Sequence, residues 1–137
     1  VDSPWALYNR PQTRFVAEFI GRTNLVEGVV QGDHIACPGF RLDAQAFGPV
    51  GKPPGSAVAV SIRPQALHLH ASPPAGNGLA TRVTIRHRVY LGEYWDYAIS
   101  PENTDTVLRV SAPPATALER GAAAWITMNR DGIAVLP

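Results

Sequence analysis

Thirteen prolines and twelve glycines are spread along the 137 residues of this chain, and the apolar runs between them are only a few residues long. Such punctuation stops helices before they gain length and suits many short strands joined by turns. The clearest stretch is "ATRVTIRHRVYLG", where Val83, Ile85, Val89 and Leu91 alternate with Arg82, Thr84, Arg86, Arg88 and Tyr90. Only a strand satisfies a period of two, so one face is expected in the core and the other in water. A chain of this length removes roughly two-thirds of its unfolded surface from water on folding, and it needs neither metal nor disulfide to do so. Cys37 is the single cysteine, which excludes an intrachain bridge and suits a reducing cytosol.

Helical signals are confined to the start. In "SPWALYNRP", Ser3 can cap and Pro4 can open a turn or two that Pro11 ends. Thr13 can cap a second short helix with Phe15, Val16, Phe19 and Ile20 on one face and Gly21 just past its end. From Asn24 the pattern turns to β. "NLVEGVVQ" and "HIACPGFRL" read as two strands joined at Gly32-Asp33. "GPVGKPPGS" reads as a loop, "AVAVSIR" as a buried strand, "RPQAL" as a turn and "LHLHA" as a short alternating strand. "SPPAGNG", Ser72 to Gly78, marks a boundary between two β lobes, roughly 23–71 and 79–137, after a helical connector over 1–22. The second lobe continues with "EYWDYAIS", "TVLRVS", "AAAWITM" and "IAVL". Five strands separated by Pro, Gly and Asn turns fit a small antiparallel OB-like barrel, whose closure removes exposed edges.

Twelve basic residues against eleven acidic ones leave a net charge of +1, which gives the whole chain no footprint for nucleic acid or anionic lipid. No apolar run approaches the roughly 20 residues a bilayer needs, and no secretory leader opens the chain. The chain is expected to be soluble, without membrane insertion, and its abrupt start at Val1 reads as a piece of something longer.

The reactive groups form no site. Gly51-Lys52 suggests a phosphate loop, but Ala46 stands where the first glycine belongs, and Pro53 replaces the Ser or Thr that would hold magnesium. His68 and His70 share one strand face with no acidic or thiol ligand at useful spacing, so a polar row is expected and no metal. Cys37 precedes Pro38 with no neighbouring base, so no catalytic residue and no cofactor is assigned. One alternative from another class remains: Arg82, Arg86 and Arg88 on one face with Tyr90, followed by Tyr94, Trp95 and Tyr97, resemble an OB-type nucleic-acid-binding face. Glu93 and Asp96 among those aromatics oppose it, and no nucleic-acid partner is expected.

Three stretches carry a family resemblance. "LYNRPQTRFVAEFIGRTNLVEG" resembles the segment after the nucleotide-binding domain in ATP-binding subunits of ABC importers of the maltose, polyamine and iron(III) type. The matching positions are Tyr8, Pro11, Phe15, Val16, Ala17, Phe19, Ile20, Gly21 and Asn24. "VSIRPQAL" is similar to the family's Arg-Pro-Glu strand end through Arg63 and Pro64, with Gln65 in place of the acid. "RVYLGEYWDYAI" is similar to its last signature through Tyr90, Leu91, Gly92, Tyr94 and Tyr97.

The resemblance implies a mainly β, TOBE-type (MOP-like) C-terminal domain, without catalysis of its own, that regulates or dimerises an ATPase. ATP and magnesium would then belong to a nucleotide-binding domain outside this chain. The implied partners are that domain, a second copy of the subunit and the transporter's membrane subunits, at the cytoplasmic face of the cell membrane. Trp5, Phe15 and Phe19 are the expected interface residues, and a small-anion-sensing barrel is a further alternative, since related barrels bind oxyanions.

Overall fold

The computed structural model describes residues 23–43, 52–75 and 80–136. The helical connector and its residues Trp5, Tyr8, Pro11, Phe15, Val16, Ala17, Phe19, Ile20 and Gly21 lie outside the described residues, as does most of the loop leading to Lys52. The described residues are mainly β, and their only helical turns are two short 3-10 segments, Pro64–Ala66 and Arg130–Gly132. Two compact units result: residues 23–63 with 130–136, and Pro64–Asn129.

The first unit is a five-stranded antiparallel sheet built from β1 (Asn24–Val30), β2 (His34–Cys37), β3 (Phe40–Asp43), β4 (Ala57–Ile62) and β10 (Ile133–Leu136), in the order β10-β4-β1-β2-β3. In β1, Val26 and Val30 point into the core while Glu27 and Val29 face water, as the period of two requires. Every residue of β4 from Val58 to Ile62 is buried. The Gly32-Asp33 hairpin forms as expected, with the Gln31 N–H donating to the His34 carbonyl at 2.8 Å.

"HIACPGFRL" is two strands rather than one. Pro38-Gly39 makes a second hairpin, in which Cys37 pairs with Phe40 and Gly39 takes a φ of 84°. Proline at the first central position and a left-handed glycine at the second are what a type II turn asks for.

The second unit holds β5 (Leu67–His70), β6 (Thr81–Tyr90), β7 (Trp95–Pro101), β8 (Leu108–Ala112) and β9 (Ala123–Met128), all antiparallel, in the order β5-β9-β6-β7-β8. Leu67, Val83, Ile85, Tyr97, Ile99, Leu108, Val110 and Ile126 fill its core. Relative to consecutive lobes, two short strands change places. "IAVL" pairs with β4 in the first unit, and "LHLHA" supplies the fifth strand of the second by pairing with β9.

The alternation along β6 corrects the sequence reading. Ile85 pairs with Ile99 and His87 with Ala98, so Arg86 is one extra residue against β7, a β-bulge. Beyond it every side chain changes face, because one inserted residue shifts a period of two by half. Val83 and Ile85 are buried as expected, whereas Val89 and Leu91 are turned out to about half exposure. Arg88 turns inward opposite Tyr97, and Tyr90 stands opposite Trp95 while remaining about half exposed.

Candidate functional site

The bulge assembles the most elaborate cluster among the described residues. On its inward side, the guanidinium of Arg88 lies 5.0 Å from the centroid of the Trp95 ring. Tyr90 and Tyr97 flank that ring at centroid distances of 5.0 and 5.8 Å. All four side chains come from the two strands of the β6–β7 hairpin, closed by the Leu91 N–H donating to the Tyr94 carbonyl at 2.9 Å.

Three of them hold one loop, residues 113–122 between β8 and β9. The Trp95 indole N–H donates to the Pro114 carbonyl at 3.2 Å. The Tyr97 hydroxyl donates to the Thr116 carbonyl at 3.0 Å and accepts the Leu118 N–H at 3.2 Å. Arg88 donates to the Leu118 carbonyl at 3.2 Å and forms an ion pair with Glu119 at 3.0 Å. Alternate carbonyls of a largely exposed loop with no ladder of its own are thus satisfied by side chains, which tie an irregular backbone to the sheet. Two backbone bonds complete the frame, Gly121 N–H to Ile85 O at 2.8 Å and Ile85 N–H to Ala122 O at 3.0 Å.

The outward side of the same hairpin is apolar toward its tip and polar below it, where Arg86 and His87 are exposed. Val89, Leu91 and Tyr94 are 53%, 49% and 40% exposed. Val89 stands opposite Asp96, and the Asp96–Arg109 ion pair borders the cluster. Hydrogen bonding to Asp96 raises the pKa of Arg109 further above its ordinary value.

Arg82 and Arg86 do not share a face with Arg88 and Tyr90. Arg82 lies over Trp125, 5.8 Å from its centroid, in a row that continues to His70. Arg86 reaches back to the Ser100 hydroxyl at 3.0 Å. The bulge therefore divides the basic and aromatic row that suggested a strand-binding groove. Trp125 is given a strand but no site role by the sequence, because its neighbours in sequence are alanine and isoleucine; its arginine and histidine partners are brought to it by strand pairing.

The remaining candidates are placed plainly. His70 bonds the Thr127 hydroxyl at 2.9 Å, and Cys37 belongs to the other unit. Burial pushes the Cys37 thiol up to about 12, far from a thiolate at neutral pH. Lys52 is exposed, ahead of a turn in which the Ser56 N–H donates to Pro53 O. Asn24 opens β1 and pairs with Ile62, beside Arg63, whose N–H donates to Gly132 O; Pro64 opens the first 3-10 turn. Tyr90, Leu91, Gly92, Tyr94 and Tyr97 come together in the hairpin. Among the described residues no helix is long and apolar enough to cross a membrane.

Comparison with known proteins adds identity to this geometry. The profile of the family described as the TOBE domain matches residues 60–136. The spermidine/putrescine import ATP-binding protein PotA of Frankia alni is 32% identical over 151 residues, covering 98% of this chain and 32% of that protein. PotA 1 of Pseudomonas aeruginosa is 34% identical over 142 residues, covering 99% of this chain and 37% of that protein. The Fe(3+) ions import ATP-binding protein FbpC of Escherichia coli O157:H7 is 31% identical over 113 residues, covering 82% and 30%. The chain thus spans about a third of the length of the curated relatives it matches. Among solved structures, the cytoplasmic molybdate-binding protein ModG has the same fold, with a TM-score of 0.65 at 12% identity over 82% of this chain and 94% of that one.

Proposed function

The chain belongs to the TOBE domain family, and on that premise we propose that it is the C-terminal regulatory and dimerisation part of an ABC importer's ATP-binding subunit, stabilising the ATPase pair during solute uptake. The observation that carries this reading is that two import ATP-binding proteins match 98% and 99% of the chain, while the chain makes up only about a third of each. ATP, magnesium and the hydrolytic groups then belong to the rest of the subunit. The partners are that nucleotide-binding part, a second copy and the membrane subunits, at the cytoplasmic face of the membrane.

The geometry agrees in kind. Arg88, Trp95 and Tyr97 are engaged in fixing a loop and shaping a surface, which is the work of an interaction module and not of bond-making chemistry. The test is to reconstitute the whole subunit with its membrane partners, with and without these 137 residues, and to measure ATP hydrolysis and solute uptake together. The reading expects hydrolysis to persist while uptake per ATP falls; equal uptake in both would contradict it.

A second reading, a barrel that senses a small oxyanion, is favoured by the fold shared with ModG, a molybdate-binding protein. Calorimetric titration of the chain with molybdate tests it, and heat with a defined stoichiometry is the expected signal. No binding at millimolar anion would contradict it.

A further inference from the structure

The outward face of β5 carries histidine at both of its positions, and pairing with β9 adds what the sequence does not show. Leu67 is buried on the inner face, while His68 is exposed and His70 half-buried on the other. Two residues apart on one strand, their Cα atoms stand about 6.5–7 Å from each other, and both side chains point the same way. Thr127 lies directly opposite His68 in the ladder, yet its hydroxyl bonds Nε2 of His70 at 2.9 Å. The ring of His70 therefore leans along the strand, so that its Nε2 reaches the rung on which His68 stands.

We propose that His68 and His70 chelate a divalent transition-metal ion, copper(II) or zinc, through one nitrogen of each imidazole, with the Thr127 hydroxyl holding a water on the metal. In sequence the two histidines are a polar row without a third ligand. The strand pairing supplies the hydroxyl and turns one ring toward the other. This inference does not depend on how an ATP-binding pair is held together.

The ligand chemistry selects the ion. Neutral imidazole suits copper, zinc and nickel, whereas magnesium and calcium take oxygen ligands. When the ion enters, Nε2 of His70 gives its lone pair to the metal and Nδ1 keeps the proton. The Thr127 hydroxyl, released from that bond, turns to a metal-bound water, the part that outer-shell partners of metal ligands play.

Two imidazoles leave at least two of four tetrahedral positions open. No group of three or more His, Cys, Asp or Glu side chains gathers among the described residues, so the site is an open one that exchanges its ion and not a closed structural one. One cation on the same face opposes it. Arg82 lies over Trp125, the residue opposite His70, 5.8 Å from the ring centroid. Its strand is two strand spacings from β5, roughly 10 Å. The Glu102 carboxylate stands 3.9 Å from Arg82 Nε, and at such separations in water the remaining repulsion is small against two coordinate bonds.

Calorimetric titration of the chain with zinc, copper(II) and magnesium chlorides, at neutral pH in a buffer that binds no metal, tests this. The expected result is one ion per chain, copper(II) tighter than zinc, and no heat from magnesium. His68→Gln and His70→Gln, with far-UV spectra and melting curves that match the unaltered chain, should each weaken zinc at least tenfold. Thr127→Val should weaken it a few-fold, and His87→Gln, at an exposed position of β6, should leave it unchanged. In the unaltered chain, zinc should shift the ring resonances of His68 and His70 before those of His34 and His87, a readout that needs no variant.

No saturable binding of zinc or copper(II) up to millimolar metal overturns the proposal. Binding that survives both histidine variants overturns it as well and moves the ion to another part of the chain, such as Cys37 or His34. Loss with only one of the two variants overturns the chelate, and magnesium heat equal to that of zinc overturns imidazole ligation.

Discussion

Arg88 lies over the indole of Trp95 with its guanidinium carbon 5.0 Å from the ring centroid, and both side chains donate to carbonyls of the same loop. The pair exists because Arg86 is an extra residue in β6, which turns Arg88 toward Trp95 and Tyr97 and away from water. A cation held on an aromatic face contributes about 0.5–2 kcal/mol according to its exposure. Arg88 is also hydrogen-bonded and ion-paired in the same place.

Deleting Arg86 should restore an unbroken strand and reverse the faces beyond it. Arg88 and Tyr90 would then point outward and Val89 and Leu91 inward, against a core shaped for neither. The expected loss is about 3 kcal/mol or more of unfolding free energy in urea, together with loss of the near-UV signal of Trp95 in its stacked site. A deletion variant as stable as the parent would show that the bulge does not set the register.

Tyr97→Phe removes one hydroxyl that serves both the Thr116 carbonyl and the Leu118 N–H, from a ring that is itself fully buried. Leaving those backbone groups without their partner should cost about 1–3 kcal/mol. The same change should speed proteolytic nicking within residues 113–122, readable by mass spectrometry. Unchanged nicking would mean that the loop is held without Tyr97.

At Gly28 the limit is space. A Cβ there would stand 2.6 Å from Cγ2 of Ile35 and 3.2 Å from the Ala36 carbonyl oxygen, both on the neighbouring strand β2. Gly28→Ala should therefore destabilise by about 1–3 kcal/mol through displaced packing. Denaturation of Gly28→Ala, Ile35→Ala and the two together checks the cause, because alanine at 35 removes the Cγ2 that the new Cβ would meet, so the two losses should be less than additive only if that clash produces the first.

Cys37 should react slowly with thiol reagents, since burial raises its pKa from 9.0 to about 12. Sign follows from linkage: the folded state keeps the proton more tightly than the unfolded one, so the stabilisation is complete below pH 9 and is lost as pH rises toward 12. Alkylation at pH 8 is expected to be at least tenfold slower than for a free cysteine and to reach the free rate in urea. Equal rates in the folded and unfolded chain would contradict the burial argument.

Much of this fold is legible in the sequence because its signals are local. Alternation in β1 and the first half of β6, the continuous apolar run of β4, the Gly32-Asp33 turn and the Pro-Gly punctuation each act within a few residues, and the strands follow them. The site is far less legible. A bulge inserts one residue without changing the apolar content, and Val89 and Leu91 happen to keep the phase of Val83 and Ile85, so nothing in the string announces that they change face. Pro38-Gly39 was the readable exception: a type II turn signal inside what otherwise looks like one strand. The exchange of β5 and β10 between the units depends on pairing across about 55 or more positions, as in His70 with Trp125, and no local pattern carries that information.

The proposed role, to hold an ATP-binding pair together and leave hydrolysis to the rest of the subunit, is decided by sedimentation of the whole subunit without nucleotide, compared with a version lacking these 137 residues. A dimer is expected for the whole subunit and a monomer for the shortened one, with ATP hydrolysis still measurable in both. Two species of the same oligomeric state would contradict it.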